Sequence, residues 1–263
     1  MPDPIALRDL ASAVAVDAGR LLLDVLVGSD LSIETKSSPT DMVTEMDRSV
    51  ERLLVAGILA ARPDDSIMGE EGADQIGTSG VRWLLDPIDG TTNFVYGIPG
   101  FNVSVAAEVD GQVVAGAVLD PLHDDLFTAA AGEGAQRNGR CIRCNPSTGL
   151  AHALVATGFS YDRTRREGQA RVLTTVLPAV RDIRRIGAAA LDLCWVACGR
   201  VDAYYEQGLA PWDYAAGSLV AQEAGAIVGD LRGGAPSPTF TLAGGSALFG
   251  PLRDLLRRAD ADA

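Results

Sequence analysis

The sequence predicts a mixed α and β fold, built as one large unit of 263 residues. Aliphatic residues are plentiful, aromatic residues make up only 5% of the chain, and glycine-containing turns separate the apolar runs. Some runs repeat at three and four residues, as helices do, and others are short and continuous, as buried strands are. Alternation of the two kinds is typical of mixed domains, and a chain of this length can bury an ample core.

The net charge and the placement of charged residues argue against some classes of binding partner. The formal net charge is -13, which argues against a nucleic-acid partner, because nucleic-acid footprints are basic. Residues 1–27 are rich in Ala, Val and Leu, but charged residues interrupt them at helical spacing, so they predict neither a signal peptide nor a membrane span. We therefore expect a cytoplasmic protein with no membrane partner.

The first half of the chain predicts two helices followed by strands. Apolar positions at helical spacing predict an amphipathic first helix over 4–27, and Thr44 is a candidate cap for a second helix. Residues 66–68 form a short predicted strand and 81–85 a buried one. Antiparallel strands are then predicted over three stretches, which are 101–109, 113–120 and 126–131.

The second half predicts alternating strands and helices. The predicted elements are, in order, 153–157, 173–180, 182–186, 188–198, 201–206 and 215–224. No linker rich in Pro and Ser separates the halves. We therefore expect one catalytic unit over 1–263, with subdomains 1–149 and 150–263 that share a cleft.

Two aspartates directly after the strand 81–85 are the centre of the sequence. Pro87 lies between Asp86 and Asp89 and lacks an amide hydrogen, so we expect a stiff turn that continues neither a ladder nor a helix. Such a turn can direct both carboxylates and the Ile88 carbonyl at one point. Hard oxygen ligands of this kind suit Mg²⁺ or Mn²⁺.

The residues after the turn can bind phosphate. Gly90 allows close approach of the backbone to a ligand, and the amides of Gly90 and Thr91 would face an anion if a helix begins there. An ordinary acidic turn is the alternative, because Asp and Gly are common turn residues for reasons unconnected with metals.

Other acids occur in similar places. Glu70 and Glu71 follow the strand 66–68, and two adjacent glutamates are either exposed or close to a cation. Asp47 falls in the first turn of the second helix, where the helix dipole favours acids. Asp213 opens a later helix, for which a capping role is the alternative.

These motifs together resemble the inositol monophosphatase family of metal-dependent phosphatases. Four segments spread over nearly the whole chain carry the resemblance. They are Lys36-Ser37-Ser38-Pro39 with Thr44-Glu45-Met46-Asp47, Gly69-Glu70-Glu71-Gly72, Asp86-Pro87-Ile88-Asp89-Gly90-Thr91, and Tyr204-Tyr205-Glu206 with Trp212-Asp213. The resemblance implies a layered αβαβα sandwich of the sugar-phosphatase type, with the active cleft between two halves.

The resemblance also implies residue roles. The implied metal ligands are Glu70, Asp86, the Ile88 carbonyl, Asp89 and Asp213, for two Mg²⁺ ions, with a third, weaker ion beside Glu70 left open. The implied catalytic residues are Glu70, Asp47 and Thr91. Of these, Asp47 and Thr91 would position the attacking water. The implied substrate contacts are Gly90, Thr91, Gly187, Ala188, Ala189, Glu206 and Asp213. Lys36 and Glu71 are implied as accessory residues.

One position departs from the family pattern. The family's Gly-[Ser/Thr]-Ala maps to Gly187-Ala188-Ala189, so Ala188 lacks the hydroxyl. One side-chain hydrogen bond to the substrate or its surroundings is therefore expected to be missing. Packing by small residues is the alternative explanation for this segment.

The implied reaction is hydrolysis of a phosphate monoester by direct in-line attack of water, without a phosphoenzyme and with sensitivity to Li⁺. Inositol 1-phosphate is the first choice of substrate, because Glu206 favours a polyol, and histidinol phosphate is the second. Relatives also hydrolyse fructose 1,6-bisphosphate or 3′-phosphoadenosine 5′-phosphate, and the lack of an obvious extra basic patch disfavours a bisphosphate.

A function of a different class stays open as an alternative. Some bacterial relatives have been proposed to be regulatory proteins that bind RNA or the transcription machinery. The complete set of acidic ligands and the net charge of -13 argue against this as the main activity. Dimers are common in the family, so a homodimer is expected.

Overall fold

The computed structural model describes residues 2–28, 33–35 and 42–261, which form layers of helices and sheets. Its helices are α1 (Pro4–Gly28), α2 (Glu45–Ala61), α3 (Thr91–Val95), α4 (Arg163–Val176), α5 (Ala189–Ala197), α6 (Pro211–Glu223) and α7 (Ser246–Arg258). The strands of the first half are β1 (Ile33–Thr35), β2 (Met42–Thr44), β3 (Ser66–Gly69), β4 (Asp74–Gln75), β5 (Val81–Asp89), β6 (Asn102–Val109), β7 (Gln112–Asp120), β8 (Asp125–Ala130), β9 (Ala135–Arg137) and β10 (Arg140–Cys141). Those of the second half are β11 (Leu154–Thr157), β12 (Asp182–Arg184), β13 (Ala203–Glu206), β14 (Ile227–Gly229) and β15 (Thr241–Gly244).

Two large sheets lie between three layers of helices. The first has eight strands in the order β10-β9-β8-β7-β6-β5-β3-β4, with α1 and α2 on one face and α6 on the other. The second has five strands in the order β12-β11-β13-β15-β14, with α5 and α6 packed between the sheets and α7 packed on β15 and against α4. This confirms the layered αβαβα architecture.

The predicted first helix is confirmed, and its spacing explains its packing. Leu7, Val14, Ala18 and Leu22 of α1 are buried against the eight-stranded sheet in a cluster that includes Trp83. Residues at this spacing share one face of a helix, so the apolar pattern places that face on the sheet. Within the described ranges, none of the helices is both long and apolar enough to span a bilayer.

The prediction that Pro87 ends the central strand is wrong. The strand β5 continues to Asp89, but its pairing with β6 is irregular. Asp86 lies opposite Ser104 and Asp89 opposite Asn102, so three steps on β5 face two on β6. Pro87 is accommodated in this bulge, where a missing amide hydrogen interrupts no regular pairing.

The prediction of a helix over 173–180 is also wrong in its bounds. The helix is α4, which begins at Arg163 and is followed by a 3₁₀ turn at Leu177–Ala179. Asp162 caps α4 by accepting a hydrogen bond from the amide of Arg165 at 2.8 Å. The sequence pattern was weak here because α4 lies on the outer surface and buries only Val172 and Val176.

The buried carboxylate of Asp65 binds residues near the beginning of β3 and β5. Asp65 is 1% exposed and accepts hydrogen bonds from Ser79 Oγ at 2.6 Å and Trp83 Nε1 at 2.8 Å. Both the Nε and the Nη2 of Arg62 also donate to it. Burial raises the pKa of Asp65, but these hydrogen bonds and the charge of Arg62 outweigh that effect, so its pKa lies below the usual 3.8.

We expect Asp65→Asn to lower the free energy of unfolding at pH 7 by about 1–3 kcal/mol, because Arg62 loses its counter-ion and one acceptor becomes a donor. A carboxyl whose pKa is lower in the folded state stabilises the protein above its unfolded pKa and loses that contribution as the pH falls through the folded pKa. The difference from wild type, measured by urea unfolding, should therefore shrink below about pH 4. The control is Asp64→Asn, at an exposed neighbour; equal stability of the two variants at pH 7 would contradict the prediction.

Candidate active site

Ten of the residues singled out in the sequence surround one cavity of about 150 Å³. They are Glu70, Asp86, Ile88, Asp89, Gly90, Thr91, Gly187, Ala189, Glu206 and Asp213. They come from both sheets and from three helices: the loop after β3, the end of β5, the start of α3, the segment before α5, the end of β13 and the first turn of α6. The cavity therefore lies between the two halves of the chain.

The end of β5 is shaped by backbone hydrogen bonds. The Glu70 amide donates to the Leu85 carbonyl at 3.1 Å, which brings Glu70 beside Asp86. Gly90 has a φ of +90°, and a Cβ there would lie 2.9 Å from the Gly100 carbonyl oxygen, so a side chain would be both strained and crowded. The Thr91 hydroxyl donates to the Ile88 carbonyl at 3.0 Å.

The Asp89 carboxylate connects the eight-stranded sheet to α5. Its Oδ1 accepts from the Ala189 amide at 3.1 Å, and its Oδ2 accepts from the Ala190 amide and from Asn102 Nδ2, each at 2.8 Å. Ala188 is the N-cap residue of α5 and makes no side-chain cap. Asp89 therefore satisfies helix amides that a Ser or Thr at position 188 would otherwise be placed to cap.

Two acids of the second half complete the cavity wall. Glu206 Oε2 accepts a hydrogen bond from the Tyr204 hydroxyl at 2.7 Å. A Cβ on Gly158 would lie 1.9 Å from the same oxygen, so Glu206 can occupy this place only beside a glycine. Asp213 Oδ2 accepts from the Ala210 amide at 2.7 Å, so Asp213 caps its own helix and also lines the cavity.

Burial and mutual repulsion raise the pKa values of the clustered acids. Burial raises the pKa of Asp86 well above its usual range, and the negative charges of Glu70 and Asp89 raise it further. Burial and the charge of Asp89 likewise raise the pKa of Asp213. Burial raises the pKa of Asp89 to about 6, although its hydrogen bonds with Asn102 and the α5 amides oppose the shift.

Not every predicted site residue lines the cavity. Asp47 is buried in the first turn of α2, and Ala188 is buried behind Gly90, with its Cβ 3.2 Å from where a Cβ on Gly90 would lie. The Glu71 carboxylate lies 3.8 Å from Arg48 Nε and is almost fully buried. Lys36 lies outside the described residues.

Comparisons with known proteins decide the family. The model of the inositol monophosphatase family matches residues 5–259. The chain belongs to the inositol monophosphatase family. An inositol-1-monophosphatase from Mycobacterium leprae is 48% identical over 244 residues, which cover 86% of this chain and 84% of the relative.

Other relatives of this family member carry a different name. A Vibrio cholerae protein named Nus factor SuhB is 41% identical over 228 residues, which cover 86% of this chain and 85% of that protein. The crystal structure of the extragenic suppressor protein suhB from Bartonella henselae superposes with a TM-score of 0.89 at 37% identity. That match covers 97% of this chain and 98% of the other.

The family is generally dependent on Mg²⁺, and the donor set of this member fits such an ion. Asp86 Oδ1 is fully buried and accepts no hydrogen bond from the described residues. Four carboxylates and a carbonyl oxygen around one cavity are the hard ligands that Mg²⁺ prefers. Within the described ranges, no three acid, histidine or cysteine side chains form a closed metal site.

Sequence reasoning missed four residues that line the cavity, which are Phe159, Tyr161, Arg185 and Leu209. Arg185 brings a positive charge among the acids, and its guanidinium lies 5.9 Å from the Phe159 ring centre. It lies two residues before Gly187, which the family resemblance implies as a substrate contact. No motif marked Phe159 or Tyr161, because they enter the cavity only through the path of the loop after β11.

A buried acid behind the cavity was also missed. Asp192 of α5 is fully buried, and neither of its carboxylate oxygens has a hydrogen-bond partner among the described residues. Burial raises its pKa well above the usual value, and the charges of Glu206 and Asp89 add to the shift. The sequence signal that could have found Asp192 is the presence of an acid within the otherwise apolar run 188–198.

Glu206 gives a test of these electrostatics. Burial raises its pKa from 4.5 to about 7, with the charge of Asp89 adding to the shift and Tyr204 and Arg185 opposing it; Asp192 also faces it. A carboxyl whose pKa is raised by folding costs stability as the pH rises from its unfolded value to its folded value. We therefore expect Glu206→Gln, in the presence of EDTA, to be more stable than wild type by about 3 kcal/mol at pH 8.

That gain should fall to less than about 1 kcal/mol near pH 5, as measured by thermal and urea unfolding across this range. Glu133→Gln, at an exposed position, is the control and should show no pH-dependent difference. A gain for Glu206→Gln that is constant from pH 5 to pH 8 would count against the raised pKa.

Proposed function

We propose that this chain is a Mg²⁺-dependent phosphate monoester hydrolase whose substrate is inositol 1-phosphate. The observation that carries the proposal is the set of four acids, Glu70, Asp86, Asp89 and Asp213, around one cavity. Family membership and 48% identity to a relative named inositol-1-monophosphatase support it. In this proposal the cavity is the active cleft between subdomains 1–149 and 150–263.

Each acid has a role in the proposed reaction. The carboxylates of Glu70, Asp86, Asp89 and Asp213 and the Ile88 carbonyl would hold two Mg²⁺ ions, and a third, weaker ion beside Glu70 is left open. When bound, Mg²⁺ supplies charge neutralisation of the phosphate and lowers the pKa of water. The proposed accessory role of Lys36 is to offset the phosphate charge or to tether the acidic loop. Glu71 is proposed to support the metal ligands without binding the ion itself.

The remaining residues would hold the reactants. The amides of Gly90 and Thr91 bind phosphate oxygens, while the Thr91 hydroxyl orients the water in the pairing with Asp47 that the family resemblance implies. The water oxygen attacks phosphorus opposite the ester oxygen, and the bond from phosphorus to that oxygen breaks. One proton of the water ends on the ester oxygen, so phosphate and the alcohol are released. Gly187 and Ala189 flank the substrate, and Ala188 lies behind Gly90 without facing the cavity.

Glu206 is the proposed specificity residue. A carboxylate accepts hydrogen bonds from hydroxyl groups, so Glu206 would orient the polyol portion of the substrate. Its place in the cavity wall, supported by Tyr204 at 2.7 Å, is consistent with this role. Arg185 adds a positive charge to the same cavity, which would suit a second phosphate, so fructose 1,6-bisphosphate stays in the substrate panel. Histidinol phosphate stays in it as the second choice from the sequence.

We expect Asp89→Asn to reduce Mg²⁺-dependent phosphate release by at least about 100-fold, because the variant weakens the metal site without changing side-chain size. The amide oxygen can accept on only one side of the junction with α5 and Asn102, so some loss of stability is expected as well; circular dichroism and urea unfolding check that the variant is folded under the assay conditions. Asp110→Asn, in an exposed turn, is the matched control. Wild-type turnover by Asp89→Asn at saturating Mg²⁺ would overturn the ligand assignment.

A panel of phosphate esters tests which alcohol portion the enzyme prefers in its substrate. We expect inositol 1-phosphate to have the highest kcat/KM among inositol 1-phosphate, histidinol phosphate, fructose 1,6-bisphosphate and 3′-phosphoadenosine 5′-phosphate, with inhibition by Li⁺. Mg²⁺-dependent preference for another compound would replace the substrate and retain the reaction. No hydrolysis of any compound by the folded, Mg²⁺-loaded protein would reject the enzymatic proposal.

A regulatory function is the second candidate, because a relative at 41% identity is named Nus factor SuhB. A gel shift with RNA at physiological ionic strength tests it, with salt dependence as the check on non-specific binding. Specific binding that persists in Asp89→Asn would support a function separate from catalysis.

The proposal also includes a cytoplasmic location and a homodimer. Sedimentation of the purified protein tests the homodimer.

A further inference from the structure

Helix α2 holds the loop that carries Glu70. Glu51, on the second turn of α2, accepts a hydrogen bond from the Glu71 amide through Oε2 at 2.8 Å. It accepts another from the Ala73 amide through Oε1 at 3.0 Å. Glu51 is only 6% exposed, so its carboxylate is buried against this loop.

The loop is shaped around that carboxylate. A Cβ on Gly69 would lie 2.1 Å from Glu51 Oε2, so the glycine provides the space that the carboxylate occupies. The Gly69 amide donates to the Ala73 carbonyl at 2.7 Å, which closes the loop. Gly72, between the two donating amides, has a φ of +107°. Amides that converge from a turn of this kind form a concave anion site.

The main chain is therefore fixed on both sides of Glu70. Its own amide donates to Leu85 of β5, and the next amide, that of Glu71, donates to Glu51. Arg48, also on α2, lies 3.8 Å from the Glu71 carboxylate. These contacts leave the Glu70 side chain facing the cavity, although the negative charge of Asp86 repels it.

We propose that Glu51 is a positioning residue for the metal ligand Glu70, whose loop it holds so that Glu70 faces Mg²⁺. The inference rests on the proposed function, because Glu70 is a ligand only in that proposal. Groups that orient metal ligands typically change metal affinity when they are replaced. Glu51 touches neither substrate nor metal in this assignment and acts through the loop.

Glu51→Gln tests the proposal, because it keeps the side-chain shape but offers one acceptor to two amides. We expect the Kd for Mg²⁺, measured by calorimetry without substrate, to rise about 10-fold or more. The Mg²⁺ concentration for half-maximal activity should rise in parallel, while kcat at saturating Mg²⁺ stays near wild type. Hydrogen exchange at the amides of Glu71 and Ala73 should become faster.

Glu223→Gln is the matched control. Glu223 also accepts from two loop amides, those of Gly132 and Gly134, each at 2.8 Å, and it does not line the cavity. Its replacement removes the same kind of interaction and should leave the Kd for Mg²⁺ unchanged. Gly69→Ala is the second variant, since its Cβ displaces the Glu51 carboxylate without altering Glu51, and it decides the question if Glu51→Gln does not fold.

The outcomes separate the two proposals. A wild-type Kd for Mg²⁺ in Glu51→Gln, or in Gly69→Ala, would overturn the positioning role. A similar rise in Glu223→Gln would overturn it too, because the effect would then be general destabilisation. If the wild-type protein itself binds no Mg²⁺, the proposed function fails and the positioning role fails with it.

Discussion

The hydrogen bonds of the Asp89 carboxylate are the interaction on which the cavity depends. Asp89 ends the central strand of one sheet and binds the first amides of the helix that packs on the other. Asn93 adds a second connection by donating to the carbonyls of Gly100 and Ile186. Because the acids come from both halves, their mutual distances depend on this junction. A carboxylate is well suited to it, since helix N-termini favour negative charge.

The same junction creates an electrostatic cost. Burial and like charges raise the pKa of Asp86, Asp213 and Glu206, so ionising them together lowers the stability of the folded chain. Well-ordered neighbours hold them in place nonetheless: Tyr204 donates to Glu206, and Glu51 binds the loop of Glu70. Functional sites commonly retain such local strain because the rest of the fold is stable enough to support it.

Asp213 combines two properties that the sequence presented as alternatives. Asp213 caps its own helix and also lines the cavity, so a capping role does not argue against a functional one. Ala188 shows the reverse case. The hydroxyl of the family pattern is absent at this position, and the first amides of α5 donate to Asp89. A local motif therefore states which groups are needed without stating which residue supplies them.

The sequence by itself determined the local features: the amphipathic α1, the strand that leads into the aspartates, and the acids at strand ends that the cavity brings together. Periodicity and residue chemistry are local properties, so they can be read without coordinates. Only the tertiary structure decided the bulge that accommodates Pro87, the extent of α4 on the outer surface, and the entry of Phe159 and Arg185 into the cavity. It also decided the contact of Glu51 with the Glu70 loop. These features depend on strand pairing, solvent exposure and contacts between residues far apart in the chain, which no local pattern encodes.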